Sequence, residues 1–201
     1  MSTQDNGESL PIEEKGETAA IDFISKRLER KVTTDFFFKI VHPPNPETGV
    51  VAQTEMNEAL SKMRTESGNL IRNLKDKNPE AYSLLVNLGK DTEEIESILS
   101  NRVSPSGIPY IDLSTFYTDS LLEKSFQYVS EIRKNSRLPE NERLSKFREF
   151  ASSRIVIFDT PLPEKAYPYA VDICTTLGRM MDMPEILPLI QAPTPELSST
   201  V

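Results

Sequence analysis

A stripe of apolar residues at heptad spacing runs through the middle of the chain. Steps of four, three, four, three and four residues place these side chains on one face of an α-helix. The stripe predicts a long helix over about 54–76 whose apolar face contacts either the core or a protein partner. A coiled-coil dimer normally needs more heptads, so packing on the body is the favoured interpretation. The stripe consists of Met56, Leu60, Met63, Ser67, Leu70 and Leu74, and its five apolar members are the predicted partner-binding residues.

Helical spacing and helix-boundary signals recur along the rest of the chain. Asn78-Pro79-Glu80 combines an N-cap, a first-turn proline and an early acid, and Gly89 is the residue type that commonly ends a helix. A new helix is expected from Asp91, which begins a sequence that resembles a capping box. Further helices are predicted over 18–31, from about 118, from Pro139, over about 166–182 and over about 184–190.

Two short apolar runs are not clearly helical. Residues 35–41 fit either a buried strand or a short helix, and this run stops at a proline-rich segment, 42–46. Residues 155–158 are the best strand candidate, and 36–41 is its only obvious partner. A two-stranded pair is marginal by itself. The predicted fold class is therefore mainly α, a single domain of about six to eight helices, with or without one short two-stranded pair.

The two ends of the chain differ in composition from its middle. The net charge is −8, and more than half of it lies in residues 1–18 and 191–201. Neither end has periodic apolar residues, so neither can bury enough apolar surface to offset the entropy lost on ordering. We expect disordered tails over 1–17 and 191–201 around a helical domain over 18–190.

The composition argues against several classes of protein. No run of ~18 apolar residues is present and no signal segment is recognisable, so we expect a cytoplasmic protein without membrane contact. One cysteine and one histidine cannot build a zinc site from several Cys and His ligands. The seven glycines are scattered singly, which leaves no loop to cradle a phosphate. The sequence therefore predicts no metal and no cofactor.

The one Cys–His pair that the chain offers is Cys174 with His42. Cys174 lies three residues from both Val171 and Leu177 on an apolar stripe, which is typical of a buried core cysteine. His42 stands before two prolines and is typical of a turn. We therefore expect a protein that is not an enzyme, while carboxylates that converge only in the folded chain leave an enzyme open as an alternative.

A basic segment over 133–154 stands out in this acidic chain. It contains seven cations and three carboxylates, which fits either solvated helix faces or a patch for nucleic acid or an acidic partner. The leading functional hypothesis is a non-enzymatic helical subunit or adaptor of a multiprotein assembly. A nucleic-acid-associated subunit of a ribonucleoprotein complex is the alternative. Its predicted patch residues are Arg137, Arg143, Lys146 and Arg148.

Overall fold

A computed structural model describes residues 12–100, 114–135, 137–157 and 160–190. The tail predictions for residues 1–11 and 191–201 lie outside this part of the chain. In the described residues the protein is mainly α-helical, which confirms the predicted fold class. The elements are α1 (Ile12–Val41), α2 (Pro46–Lys77), α3 (Pro79–Ser100), α4 (Ser114–Lys134), α5 (Glu140–Ser153), β1 (Val156–Ile157), β2 (Thr160–Pro161), a 3-10 turn (Glu164–Ala166), α6 (Tyr167–Met180) and α7 (Leu187–Ile190).

Helix α1 extends beyond its predicted bounds in both directions. It begins at Ile12, six residues before the predicted start at residue 18. It also includes 35–41, so this ambiguous run is helical and is not a strand. No proline or glycine interrupts the chain between Glu17 and His42, and the helix ends where a residue precedes proline, a position that disfavours helical backbone.

Asparagine and proline define both ends of α2. The Asn45 side chain accepts a hydrogen bond from the backbone N–H of Thr48 at 2.9 Å, and Pro46 occupies the first turn. Helix α2 therefore begins eight residues before the predicted position near 54. At the other end, the Asn78 side chain accepts from the backbone N–H of Ala81 at 3.1 Å, which confirms Asn78 as the N-cap of α3.

Helix α3 is continuous through Gly89, so the predicted end at Gly89 and the predicted new start at Asp91 are wrong. The physical reason is a close approach between α1 and α3. A Cβ atom on Gly89 would lie 2.7 Å from the backbone C and O atoms of Ala19 and 2.8 Å from the backbone N of Ala20. Gly89 is therefore required for helix packing and does not act as a helix cap.

The short strand pair exists, but with a different partner from the one predicted. Strands β1 and β2 are antiparallel, with Val156 opposite Pro161 and Ile157 opposite Thr160. They are neighbours in sequence, whereas the expected partner, 36–41, lies in α1. Pairing of segments that are close in sequence has a low entropic cost of closure, and this favours the local partner.

Helix α1 packs against both α2 and α3. Arg72 of α2 lies 3.7 Å from Glu17, and Arg64 lies 3.1 Å from Asp22, so α1 and α2 are antiparallel. The Lys26–Glu96 ion pair, at 2.7 Å, and the contact between Ala19 and Gly89 show that α1 and α3 are parallel.

Helices α1 and α2 form an antiparallel hairpin, and α3 connects this α1–α2 hairpin to the other described helices. It contacts α1 and α2 on one side and α4 and α6 on the other, and α6 in turn packs against α4 and α5. Six of its apolar residues recur at helical spacing and are buried. These α3 residues are Ala81, Leu84, Leu85, Leu88, Ile95 and Leu99.

The contrast between Gly89 and Gly68 predicts opposite effects of alanine. We expect Gly89→Ala to lower the free energy of unfolding by about 1–3 kcal/mol, because its new methyl group overlaps the α1 backbone. Gly68→Ala is the matched control, since its methyl group would meet nothing closer than 3.9 Å. That variant should gain roughly 0.5–1 kcal/mol from its higher helix propensity. Urea unfolding measures both values, and equal effects of the two substitutions would contradict the close α1–α3 approach.

Candidate functional site

The predicted heptad stripe lies on one face of α2, and all five apolar members are half-buried. Leu70 and Leu74 pack against the main core cluster. Met56, Leu60 and Met63 belong to the same face but are not part of that cluster. The stripe is thus divided between a segment that completes the core and a segment that lies further along the α1–α2 hairpin.

The α1–α2 hairpin extends beyond the end of α3, as the described residues show. In the parallel pair α1–α3, Ala19 lies beside Gly89 and Lys26 beside Glu96, so the two helices are aligned with an offset of 70 residues. The end of α3 at Ser100 therefore lies level with residue 30 of α1. We call the part beyond this level the hairpin arm, which comprises residues 32–41 of α1 and 46–57 of α2. Among the described side chains of the arm only Val32 and Ala52 are buried. Two helices alone cannot cover each other on all sides, so the arm keeps apolar surface open to solvent.

Exposed valines are concentrated where the arm ends. Val41, Val50 and Val51 are 50%, 69% and 55% exposed, and Val156 is the other exposed large apolar residue of the described chain. We call the three valines, together with the turn 42–45, the hairpin tip. Single exposed apolar residues are ordinary, but a group at one end of a molecule is typical of an interaction surface.

The valines of α2 share their outward face with glutamates. Ala52 is buried on the opposite side of α2, whereas Glu47 and Glu58 are exposed. At about 100° per residue, both glutamates project between the directions of Val50 and Val51. Residues 46–61 contain no Lys or Arg, so the apolar pair lies in an acidic surrounding.

The basic segment does not form one continuous face on α5. Lys146 and Arg148 project about 160° apart around the helix axis, with the buried Phe147 between them. Arg137 lies in the turn before α5, and Arg143 lies in the first turns of the helix. All four cations are exposed, and none makes an ion pair with another residue of the described chain.

Cys174 and His42 lie in different environments. Cys174 is fully buried on α6, and burial raises the pKa of its thiol to about 12. His42 is exposed in the turn between α1 and α2. The structure therefore confirms Cys174 as a core residue and His42 as a turn residue, and it does not bring them together as a nucleophile and a base.

Asp91 is the carboxyl group with the most altered environment in the described chain. It is half-buried on α3, and its pKa is raised from 3.8 to about 7. Burial is the largest cause of this rise, the negative charges of Asp172 on α6 and of Glu94 add to it, and Lys90 opposes it. A carboxyl group of this kind can exchange a proton near neutral pH. No group of three His, Cys, Asp or Glu residues in the described chain is placed to hold a metal ion.

A small cavity lies beside Arg27, between α1, α3 and α4. Its volume is about 50 Å³, far below the roughly 300–1,000 Å³ of typical small-molecule sites. Arg27 pairs with Asp119 at 3.3 Å, donates a hydrogen bond to the carbonyl oxygen of Ile190, and lies over the ring of Phe23. These contacts connect α1 to α4 and α7, so Arg27 has a structural role.

No family model, curated protein or solved structure matches this chain. No helix in the described residues is both long enough and apolar enough to cross a membrane.

The functional argument therefore depends on geometry, and the geometry points to Val50 and Val51, which the sequence reasoning missed. Asn45-Pro46-Glu47 repeats the helix-start pattern of Asn78-Pro79-Glu80, and a helix start at that position would have placed both valines off the heptad stripe.

The burial of Cys174 predicts slow chemistry at its thiol. A water-soluble thiol reagent should label the native protein at least about a hundred times more slowly than the urea-unfolded protein, because only local opening exposes the sulfur. Stopped-flow labelling measures both rates. A Ser153→Cys, Cys174→Ala variant provides an exposed thiol as the control. Comparable rates for wild-type and control protein would contradict the burial of Cys174.

The raised pKa of Asp91 predicts a specific dependence of stability on pH. Between about pH 4 and pH 7 the folded chain retains a proton that the unfolded chain has lost, so this group's contribution to stability decreases as the pH rises. Asp91→Asn should leave Tm nearly unchanged near pH 4 and raise it increasingly towards pH 7 and above. Calorimetry across this range measures the difference, with the exposed Glu93→Gln as control. A difference in Tm that is independent of pH would contradict the assignment.

Proposed function

We propose that this protein is a non-enzymatic, cytoplasmic helical subunit or adaptor that binds another protein through its hairpin tip. The observation that carries the proposal is the grouping of Val41, Val50 and Val51 at one end of the molecule, each at least half exposed. Apolar side chains at the centre of an interface contribute most of the binding free energy, because the partner removes them from water.

The geometry of the arm supports this proposal. The arm has two helices where the body has several layers, so a helix or strand from another chain can pack against it without displacing any described contact. Met56, Leu60 and Met63 are half-buried along the same hairpin and can extend the contact from the tip towards the body. Leu70 and Leu74 support the base of the hairpin by packing on the core.

Two observations favour this function over the alternatives. The cations of the basic segment are divided between different sides of α5, while a nucleic acid backbone is best met by cations on one continuous surface. Asp91 has a raised pKa, but the charged groups that act on it are Asp172, Glu94 and Lys90, and no described group of His, Cys, Asp or Glu is placed to hold a metal ion there. We therefore advance protein binding as the function.

The tip can be tested with a double substitution, Val50→Gln and Val51→Gln. Glutamine is a good helix former, so α2 should fold normally while the tip loses its apolar side chains. We expect the tagged variant, purified from the native cells under mild salt, to retain its specific partner about tenfold less than wild type, which is the expected loss for two apolar anchors. Quantitative mass spectrometry and cross-linking at Lys39 measure retention and place the partner at the tip.

Val156→Gln is the matched control, because it removes an exposed valine at a distance from the tip. It should retain the partner as wild type does. Equal retention by all three proteins, or cross-links that avoid Lys39, would show that the tip is not the binding surface. If the purified chain instead forms a dimer that the double substitution dissociates, the tip binds a second copy and the proposal of a different partner is wrong.

A further inference from the structure

We propose that the partner presents a basic amphipathic helix to the hairpin tip, with apolar side chains along its centre and Lys or Arg along its edges. This inference rests on the proposed function and specifies the chemistry of the partner. It is based on the juxtaposition of exposed valines and glutamates on the outward face of the first turns of α2.

The acidic character of this face is local. Glu47 lies one turn before Val50 and Val51, Glu55 lies one turn after Val51, and Glu58 follows on the same side. All three glutamates are exposed, and none pairs with a cation of the described chain. Uncompensated carboxylates around an apolar pair repel an acidic partner and attract a basic one.

The neighbouring cations of the described chain do not pair with these glutamates. Lys62 is close in sequence to Glu58, but its ammonium group pairs with Glu66 at 3.7 Å. Lys39, on the other helix of the arm, has its ammonium group 5.1 Å from the ring centroid of Phe36. The apolar pair is therefore flanked by negative charge along α2.

The shape of the surface favours a helix as the bound segment. The valines and glutamates lie on one side of a single helix, and the described residues of the arm offer no exposed strand edge for strand addition. A helix that packs against α2 and the end of α1 would bury apolar residues at i, i+3, i+4 and i+7 against the valines. Its flanking Lys or Arg side chains would then reach Glu47, Glu55 and Glu58.

Two synthetic helical peptides can test the inference with the full-length chain. Both carry leucines at i, i+3, i+4 and i+7, and one has lysines at the flanking positions while the other has glutamates. We expect the lysine peptide to bind in fluorescence anisotropy and the glutamate peptide to bind at least about tenfold more weakly. The affinity of the lysine peptide should decrease between about 50 and 300 mM salt, because the contributing charges are exposed.

Charge-neutral variants locate the interaction. Glu47→Gln with Glu58→Gln should weaken binding of the lysine peptide about two- to tenfold at low salt, in keeping with two exposed ion pairs. Glu140→Gln with Glu142→Gln is the matched control, since it removes two exposed carboxylates from the start of α5 with the same change in net charge. This control should bind as wild type does. The Val50→Gln, Val51→Gln protein should lose most of its affinity for the lysine peptide.

Three results would overturn the inference. They are equal binding of the two peptides, equal weakening by the two pairs of glutamine substitutions, and no binding of the lysine peptide. In each case the proposed function is judged separately by partner retention in the native complex. Loss of retention with the valine substitutions would then keep the tip as a binding surface for a partner of different chemistry. Peptide binding as expected, together with unchanged retention, would overturn the proposed function and, with it, the assignment of such a helix to the native partner.

Discussion

The architecture depends on the close approach of α1 and α3 at Gly89. Because Gly89 has no side chain, the backbone of Ala19 can lie where a Cβ atom would otherwise be. The two helices run parallel from this contact, and α3 keeps its remaining sides for α2, α4 and α6. A single helix thus contacts both halves of the protein, and its buried apolar residues join them into one core. A larger residue at this position would separate the helices and weaken packing on both sides of α3.

The hairpin arm is a consequence of helix length. Helix α1 has 30 residues and α2 has 32, whereas α3 has 22. At about 1.5 Å per residue, the hairpin extends well beyond the end of α3 when the helices are aligned at Gly89. Apolar side chains that would be core residues in a thicker bundle are therefore half-buried or exposed along the arm. The valines at the end of the arm are exposed because α1 and α2 are longer than α3. The neighbouring glutamates determine which kind of partner this surface favours.

Some features were predictable because their cause is local. The N-cap at Asn78 follows from a short sequence pattern, and the burial of Cys174 follows from the spacing of apolar residues on α6. Other predictions failed or stayed open because the deciding contacts lie elsewhere in the chain. Gly89 has the appearance of a helix end until α1 is known to cross α3 there. The run 35–41 is too short to distinguish helix from strand, and only its continuity with the preceding residues of α1 decides for helix.

Residue order alone determines the mainly helical class, the apolar stripe on α2 and the core position of Cys174, because these depend on periodicity within one segment. The tertiary structure decides which parts of that stripe complete the core and that Val50 and Val51 are exposed. Burial depends on which helix lies opposite, and how far two helices overlap depends on contacts such as that between Gly89 and Ala19. Those contacts join residues far apart in sequence, so no local pattern specifies them.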